Sequence, residues 1–108
     1  MVNVQHVHRD ELSPLVQQIS GALAYVEGVT PSPPPYTEAR PQSVIGSGVV
    51  ITDDGQLLVI TCYLHVDLHT VACVTERCVV VQSLIATLAQ RTTHRDVVVN
   101  VIVTDLLA

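Results

Sequence analysis

Apolar residues recur every three or four positions in two segments, which predicts two amphipathic helices. The stripe of the first segment comprises Leu12, Leu15, Val16, Ile19, Leu23 and Val26. Asp10 or Ser13 is the candidate N-cap of this helix, and Gly28 is the expected stop at its C-terminus. The second helix is expected over about residues 69–91. Its stripe comprises Val71, Val74, Cys78, Val81, Ile85 and Leu88.

Three β-branched stretches predict strands, at residues 44–51, 57–66 and 96–105. Asp54-Gly55 lies between the first two stretches. Asp-Gly is a strong hairpin signal, because the tight turn needs positive φ angles that glycine adopts without strain. The first two strands are therefore expected to pair antiparallel. Gly46 and Gly48 interrupt the first stretch and indicate a bulge or an irregular strand entry.

These elements predict an α+β two-layer sandwich of the order α-β-β-α-β, with two helices on one face of a small three-stranded sheet. The alternation of Val2 and Val4 with polar neighbours allows a short extra strand at the N-terminus. The length of 108 residues fits one domain, residues 1–108, with a stiff proline-rich loop at residues 30–41.

The closing strand is apolar on both of its sides, since residues 97–103 are Val or Ile except for Asn100. A sheet that is apolar on both faces needs more cover than two helices provide. The pattern therefore favours self-association, through strand 96–105 or through the open face of the sheet. Asn100 is the expected register marker of that contact. Charge introduced at Val99 or Val101 is expected to dissociate the oligomer without unfolding the chain.

Composition narrows the classes of function. The formal net charge is −5 and all five basic residues are Arg, so binding to a nucleic-acid phosphate backbone is not expected. A chain that is 48% hydrophobic and 14% charged is not a disordered one. No apolar run reaches the ~18 residues of a membrane-spanning helix, and the N-terminus lacks a signal-peptide pattern. The expected location is the cytoplasm.

Four of the five histidines form two local pairs, His6 with His8 and His65 with His69. On a strand the first pair shares a face, and the second pair lies at a strand-to-helix junction. Zinc needs three or four convergent ligands, and nothing in the sequence brings the two pairs together. No metal site is predicted, although convergence of the four side chains stays open.

The three cysteines and the adjacent carboxylates favour structural roles. Cys62, Cys73 and Cys78 cannot all pair and contain no Cys-x-x-Cys motif, so they are expected to be reduced, largely buried thiols. Asp53 and Asp54 are expected to diverge in a solvated turn. With no nucleophile elbow, phosphate-binding loop or dinucleotide fingerprint, no catalytic or cofactor-binding residue is predicted, and the chain is not expected to be an enzyme.

Three stretches and one helix end follow the pattern of a known family. They are the strand at residues 55–66, the helix at residues 70–91, the strand at residues 96–105 with Val99-Asn100-Val101, and Val26-Glu27-Gly28-Val29. In these stretches the chain resembles the alkaline shock protein family of envelope stress-response proteins from Gram-positive bacteria. The proline run at residues 31–35 and the absence of Lys depart from the usual pattern of that family.

The resemblance implies a non-enzymatic cytoplasmic scaffold that self-associates and is held at the membrane by a partner with its own membrane segment. It transfers no catalytic, cofactor or metal residue to this sequence. Two other functions remain open. One is a small metal-binding or redox module that uses the histidines and cysteines. The other is a regulatory or accessory subunit of a larger complex.

Overall fold

The computed structural model describes residues 4–33, 43–46 and 48–108, and side chains from residue 12 onward within these ranges except those of residues 43 and 44. The elements in this part of the chain follow the order α-β-β-β-β-α-β. They are α1 (Val4–Leu23), β1 (Val29–Pro31), β2 (Ser43–Gly46), β3 (Val49–Asp53), β4 (Leu57–Asp67), α2 (Val74–Thr93) and β5 (Asp96–Leu107). The predicted three-stranded sheet of order α-β-β-α-β is therefore wrong, because the described residues alone form a sheet of five strands.

Two local features account for the additional strands. β1 has only three residues, too few for a hydrophobic period to appear, and it forms through pairing of Val29 with Val66. The apolar run at residues 44–51 is not one strand, because it folds back on itself as the hairpin of β2 and β3. Gly48 has a φ of +69°, a conformation that glycine adopts readily. Gly46 thus ends β2 and Gly48 lies in the turn that leads into β3, so the expected bulge is wrong.

β4 is the central strand of the sheet. Its first half pairs antiparallel with β3, from Leu58 to Cys62, and its second half pairs antiparallel with β1 on the same edge. β5 occupies the opposite edge and runs parallel to β4, from the Leu57–Asp96 pair to the Asp67–Leu107 pair. β2 lies outside β3. The sheet is mixed, since β4–β5 is a parallel pairing and the others are antiparallel.

The predicted helices form, with different ends. α1 begins at Val4, so the expected N-terminal strand and the expected caps near residues 10–13 are wrong. A pattern of five residues fits both a strand period and a helix period, and it could not separate them. α2 begins at Val74, five residues later than expected. The preceding turn is held by Asp67, whose carboxylate accepts hydrogen bonds from the His69 N–H and the Thr70 hydroxyl.

The core lies between the sheet and the two helices, which contact each other on one face of the sheet. Alternate residues of β4 supply its centre, and all of them are fully buried: Leu58, Ile60, Cys62, Leu64 and Val66. The helices contribute Leu15, Ile19 and Leu23 from α1, and Val81, Ile85 and Ala89 from α2. Neither helix of the described chain is long and apolar enough to span a bilayer.

Candidate interaction surface

The face of the sheet that points away from the helices carries uncharged side chains across the middle of β3, β4 and β5. We call it the open face and define it by Val50, Thr52, Val59, Thr61, Tyr63, Val98, Asn100 and Ile102. These residues lie in register across β3, β4 and β5. Thr61, for example, pairs with Val50 on one side and with Asn100 on the other. No element within the described ranges packs on this face.

β5 supplies the most exposed apolar residues of the open face. Val98 is 45% exposed and Ile102 is 42% exposed, whereas Val99 is 4% exposed and packs in the core. Val101 is also packed against the core. The expectation that charge at Val99 or Val101 would leave the fold intact is therefore wrong for Val99. The sequence did not reveal which residues face outward, because both alternating sets of β5 are apolar.

The hydrogen-bonding groups of β4 alternate between its two edges. The Tyr63 N–H donates to the Gly48 carbonyl, and the Tyr63 carbonyl accepts from the Ser32 N–H, each at 2.8 Å. Odd-numbered residues of β4 thus direct their backbone groups toward β1 and β3, and even-numbered residues direct theirs toward β5. Ile60 is one of these even-numbered residues and pairs with Val99.

In a parallel pairing, the backbone N–H and C=O of one residue point toward the neighbouring strand. Those of its partner residue on that strand then point away from the first strand. Val99 therefore presents its N–H and C=O to the outer edge of β5. A second observation agrees, because Gln82 Nε2 of α2 donates to the Val99 carbonyl at 2.7 Å. By strand alternation, Val97, Val101 and Val103 also present their backbone groups outward. We call these four residues the β5 edge, and no strand in the described part of the chain pairs with it.

A β-bulge ends the regular part of this edge. The pairing shifts between Leu64 and His65, so that Val103 pairs with Leu64 but Asp105 pairs with His65. Thr104 is the extra residue. Its hydroxyl donates to the Leu64 carbonyl and shares a 2.7 Å hydrogen bond with the hydroxyl of the buried Ser32. This contact joins β5 to the residue that follows β1, across β4, and anchors β5 at the bulge.

An ion pair anchors the other end of β5. Asp53, at the end of β3, accepts two hydrogen bonds of 2.7 and 2.8 Å from the guanidinium of Arg95, which lies just before β5. Asp53 is 8% exposed, so the expected solvated turn is wrong for this residue. Only Asp54 remains exposed there, where it accepts the Leu57 N–H. The pair was not visible in the sequence, since its members are 42 positions apart.

The cysteines differ in exposure. Cys62 is fully buried in β4, and burial raises its pKa to about 12. Cys78 is partly buried, and desolvation raises the pKa of its thiol as well. Cys73 is exposed, contrary to expectation. The reason is that α2 begins at Val74, the residue after Cys73, so Cys73 lies outside the buried stripe of the helix. A thiol with a raised pKa is a poor nucleophile at neutral pH.

The two histidine pairs lie in different elements, the first in α1 and the second in β4 and the turn that follows it. His6 and His8 lie in α1 and not on the expected strand, and their side chains lie outside the described ones. His65 pairs with Thr30 and Asp105 in the sheet, while His69 is exposed in the following turn. Within the described residues, no three side chains among His, Cys, Asp and Glu are grouped to hold a metal ion.

Comparisons of the chain with protein-family models, with curated proteins and with solved structures find no match.

Proposed function

We propose that this chain is a non-enzymatic scaffold protein of the cell-envelope stress response, and that it acts by self-association. The observation that carries the proposal is the exposed apolar surface of β5. Val98 and Ile102 are more than 40% exposed, and the residues that define the open face are uncharged. The adjacent β5 edge offers backbone donors and acceptors with which no strand in the described part of the chain pairs. Exposed apolar surface next to an open strand edge is typical of protein–protein contacts.

The envelope role is supported by the resemblance to the alkaline shock protein family. The three stretches that carry it contribute β4, α2 and β5, the part of the fold that holds the β5 edge and most of the open face. The net charge of −5 argues against direct attraction to an anionic membrane surface. We therefore propose that the protein stays in the cytoplasm and is recruited to the membrane by a partner with its own membrane segment.

Two measurements test the two parts of this proposal. Light scattering coupled to size-exclusion chromatography measures the mass of the purified chain over a range of concentrations, and we expect an oligomer at micromolar concentrations. A monomer at every concentration would contradict self-association. Fluorescence microscopy of the tagged chain in its own cell tests recruitment, and we expect signal at the cell periphery. A uniform signal under envelope stress would contradict recruitment by a membrane partner.

A further inference from the structure

The direction of the backbone groups restricts how a second strand can pair with the β5 edge. All outward groups before the bulge belong to odd-numbered residues. In an antiparallel pairing of two copies, odd-numbered residues must therefore lie opposite odd-numbered residues. Side chains of odd-numbered residues, such as Val99, point toward the helices. Paired residues point to the same face, so both copies must carry their helices on the same side of the joined sheet.

The side chains of β5 select one register among those that remain. When Asn100 lies opposite its own copy, Val98 lies opposite Ile102 and Val99 lies opposite Val101. The exposed side chains of Val98 and Ile102 then contact each other across the two copies. The side-chain amide of Asn100 faces the Asn100 amide of the second copy. A shift by two residues places Val98 opposite Asn100 or opposite Thr104. Only the register centred on Asn100 matches apolar to apolar residues on both faces.

This register also separates the acidic residues. Residues 97–103 carry no charge, although the whole chain has a net charge of −5. Asp96 lies opposite Thr104 of the second copy and does not meet another carboxylate. Like charges directly opposite each other destabilise a strand pair. The pairing therefore brings together uncharged segments of two acidic molecules.

Helix α2 provides the second layer of the contact. α2 packs mainly on β5, and Gln82 marks the side of the helix that lies above the β5 edge. Val79 and Ala86 lie three and four positions from Gln82, and Thr75 lies seven positions from it, so they share that side. We call Thr75, Val79, Gln82 and Ala86 the α2 stripe. It is uncharged, and Val79 is 53% exposed.

Both layers are needed for a stable dimer. Residues 97–103 extend over about 24 Å at roughly 3.4 Å per residue. A sheet layer and a helix layer are together about 20 Å thick, which gives about 500 Å² per copy, or about 1,000 Å² in total. Specific interfaces begin near about 1,000 Å². Strand pairing alone would bury about half of the total of about 1,000 Å², which is the size of a non-specific crystal-packing contact.

We propose that two copies of this chain pair antiparallel through the β5 edge, with the two-fold axis at Asn100 and the α2 stripes of both copies in contact. The second copy is the occupant because the register matches β5 to itself on both faces. The proposal rests on the self-association proposed above and specifies its interface. In the single chain Gln82 satisfies the Val99 carbonyl, and in the dimer the Val101 N–H of the second copy donates to it.

Disulfide trapping tests the register. In an antiparallel pair of strands, two opposite residues whose backbone groups do not bond to each other have Cα atoms about 4.5 Å apart. This distance suits a disulfide. With the exposed Cys73 replaced by Ser, Asn100→Cys is expected to give a covalent dimer under mild oxidation. Val98→Cys and Ile102→Cys alone are the matched controls and are expected to stay monomeric on a denaturing gel. A mixture of these two variants is expected to cross-link.

The outcomes separate this inference from the proposed function. An oligomer by light scattering without the Asn100→Cys cross-link overturns the interface but leaves self-association intact. Cross-linking of Val98→Cys with itself overturns the register. A monomer in light scattering at every concentration overturns both proposals. Only variants whose circular dichroism spectrum matches that of the Cys73→Ser parent, and which are therefore folded, are compared.

A pair of helix variants tests the α2 stripe. Val79→Glu places two carboxylates at the helix contact and is expected to weaken dimerisation by about tenfold or more. Val80→Glu is the matched control. Val80 is 52% exposed but lies two positions from Gln82, on another side of the helix. It is expected to leave the dissociation constant within about twofold. Equal effects of the two substitutions would contradict the assignment of the α2 stripe.

Discussion

Val99 and Ile102 lie three residues apart on β5 and point to opposite faces of the sheet. Val99 is 4% exposed and Ile102 is 42% exposed. Val99→Glu removes the burial of a valine, about 2 kcal/mol, and adds the cost of a buried unpaired carboxylate, several kcal/mol. The total is of the same order as the whole stability of a small domain, about 5–15 kcal/mol. Val99→Glu is therefore expected to unfold the chain or leave it marginally stable.

Ile102→Glu is the matched substitution on the open face. Its carboxylate stays in water, and the change removes only part of the burial of an isoleucine, about 1 kcal/mol. We expect this variant to fold and to lose self-association, because the carboxylate faces the apolar Val98 of the second copy. Urea unfolding followed by circular dichroism measures stability, and light scattering measures mass. If Val99→Glu unfolds cooperatively in urea and is as stable as the unmodified chain, the assignment of the two faces is refuted.

Three further predictions concern stability. Asp53→Ala and Arg95→Ala should each lower the free energy of unfolding by about 2 kcal/mol, and the double variant should lose much less than the sum; additive losses in urea unfolding would contradict a direct pair. The pKa of Cys62, raised from 9.0 to about 12, means that the folded state holds its proton more tightly. The free energy of unfolding should therefore fall as the pH rises from 9 to 12. Cys62→Ala should show a smaller fall over this range, and identical pH profiles of the two chains would contradict the effect. Gly48→Ala should destabilise more than Gly55→Ala. Both glycines have positive φ, but only at Gly48 does an added Cβ approach other atoms within 3 Å; equal shifts in melting temperature would exclude this steric effect.

The helices and the longer strands could be predicted because each is encoded by nearby residues. The hairpin at Asp54-Gly55 is confirmed, with Gly55 at a φ of +97°. The strands at residues 57–66 and 96–105 correspond to β4 and β5, and the helical stripe at residues 71–88 belongs largely to α2. Their ends were less accurate, since turn contacts such as those of Asp67 compete with the first turn of a helix.

The candidate interaction surface was predicted only in part. The sequence indicated excess apolar surface in β5 and singled out Asn100, the polar residue within residues 97–103, which lies on the open face. It misplaced the outward residues, because a strand that is apolar on both sides gives no signal of which set faces the helices. The pairing of Asp53 with Arg95 also left no signal, since a contact over 42 positions has no local period.

Local sequence was enough to predict the local elements, the apolar excess of β5 and the absence of charge along residues 97–103. These properties depend on composition and on spacings of two to four residues, which the chain carries whether or not it is folded. The folded chain was needed to show that β4 is central, that β5 runs parallel to it with an outer edge, and that Val99 faces inward while Ile102 faces outward. The reason is physical. Strand order, register and burial arise from contacts between distant segments, and each is settled when the whole core packs together.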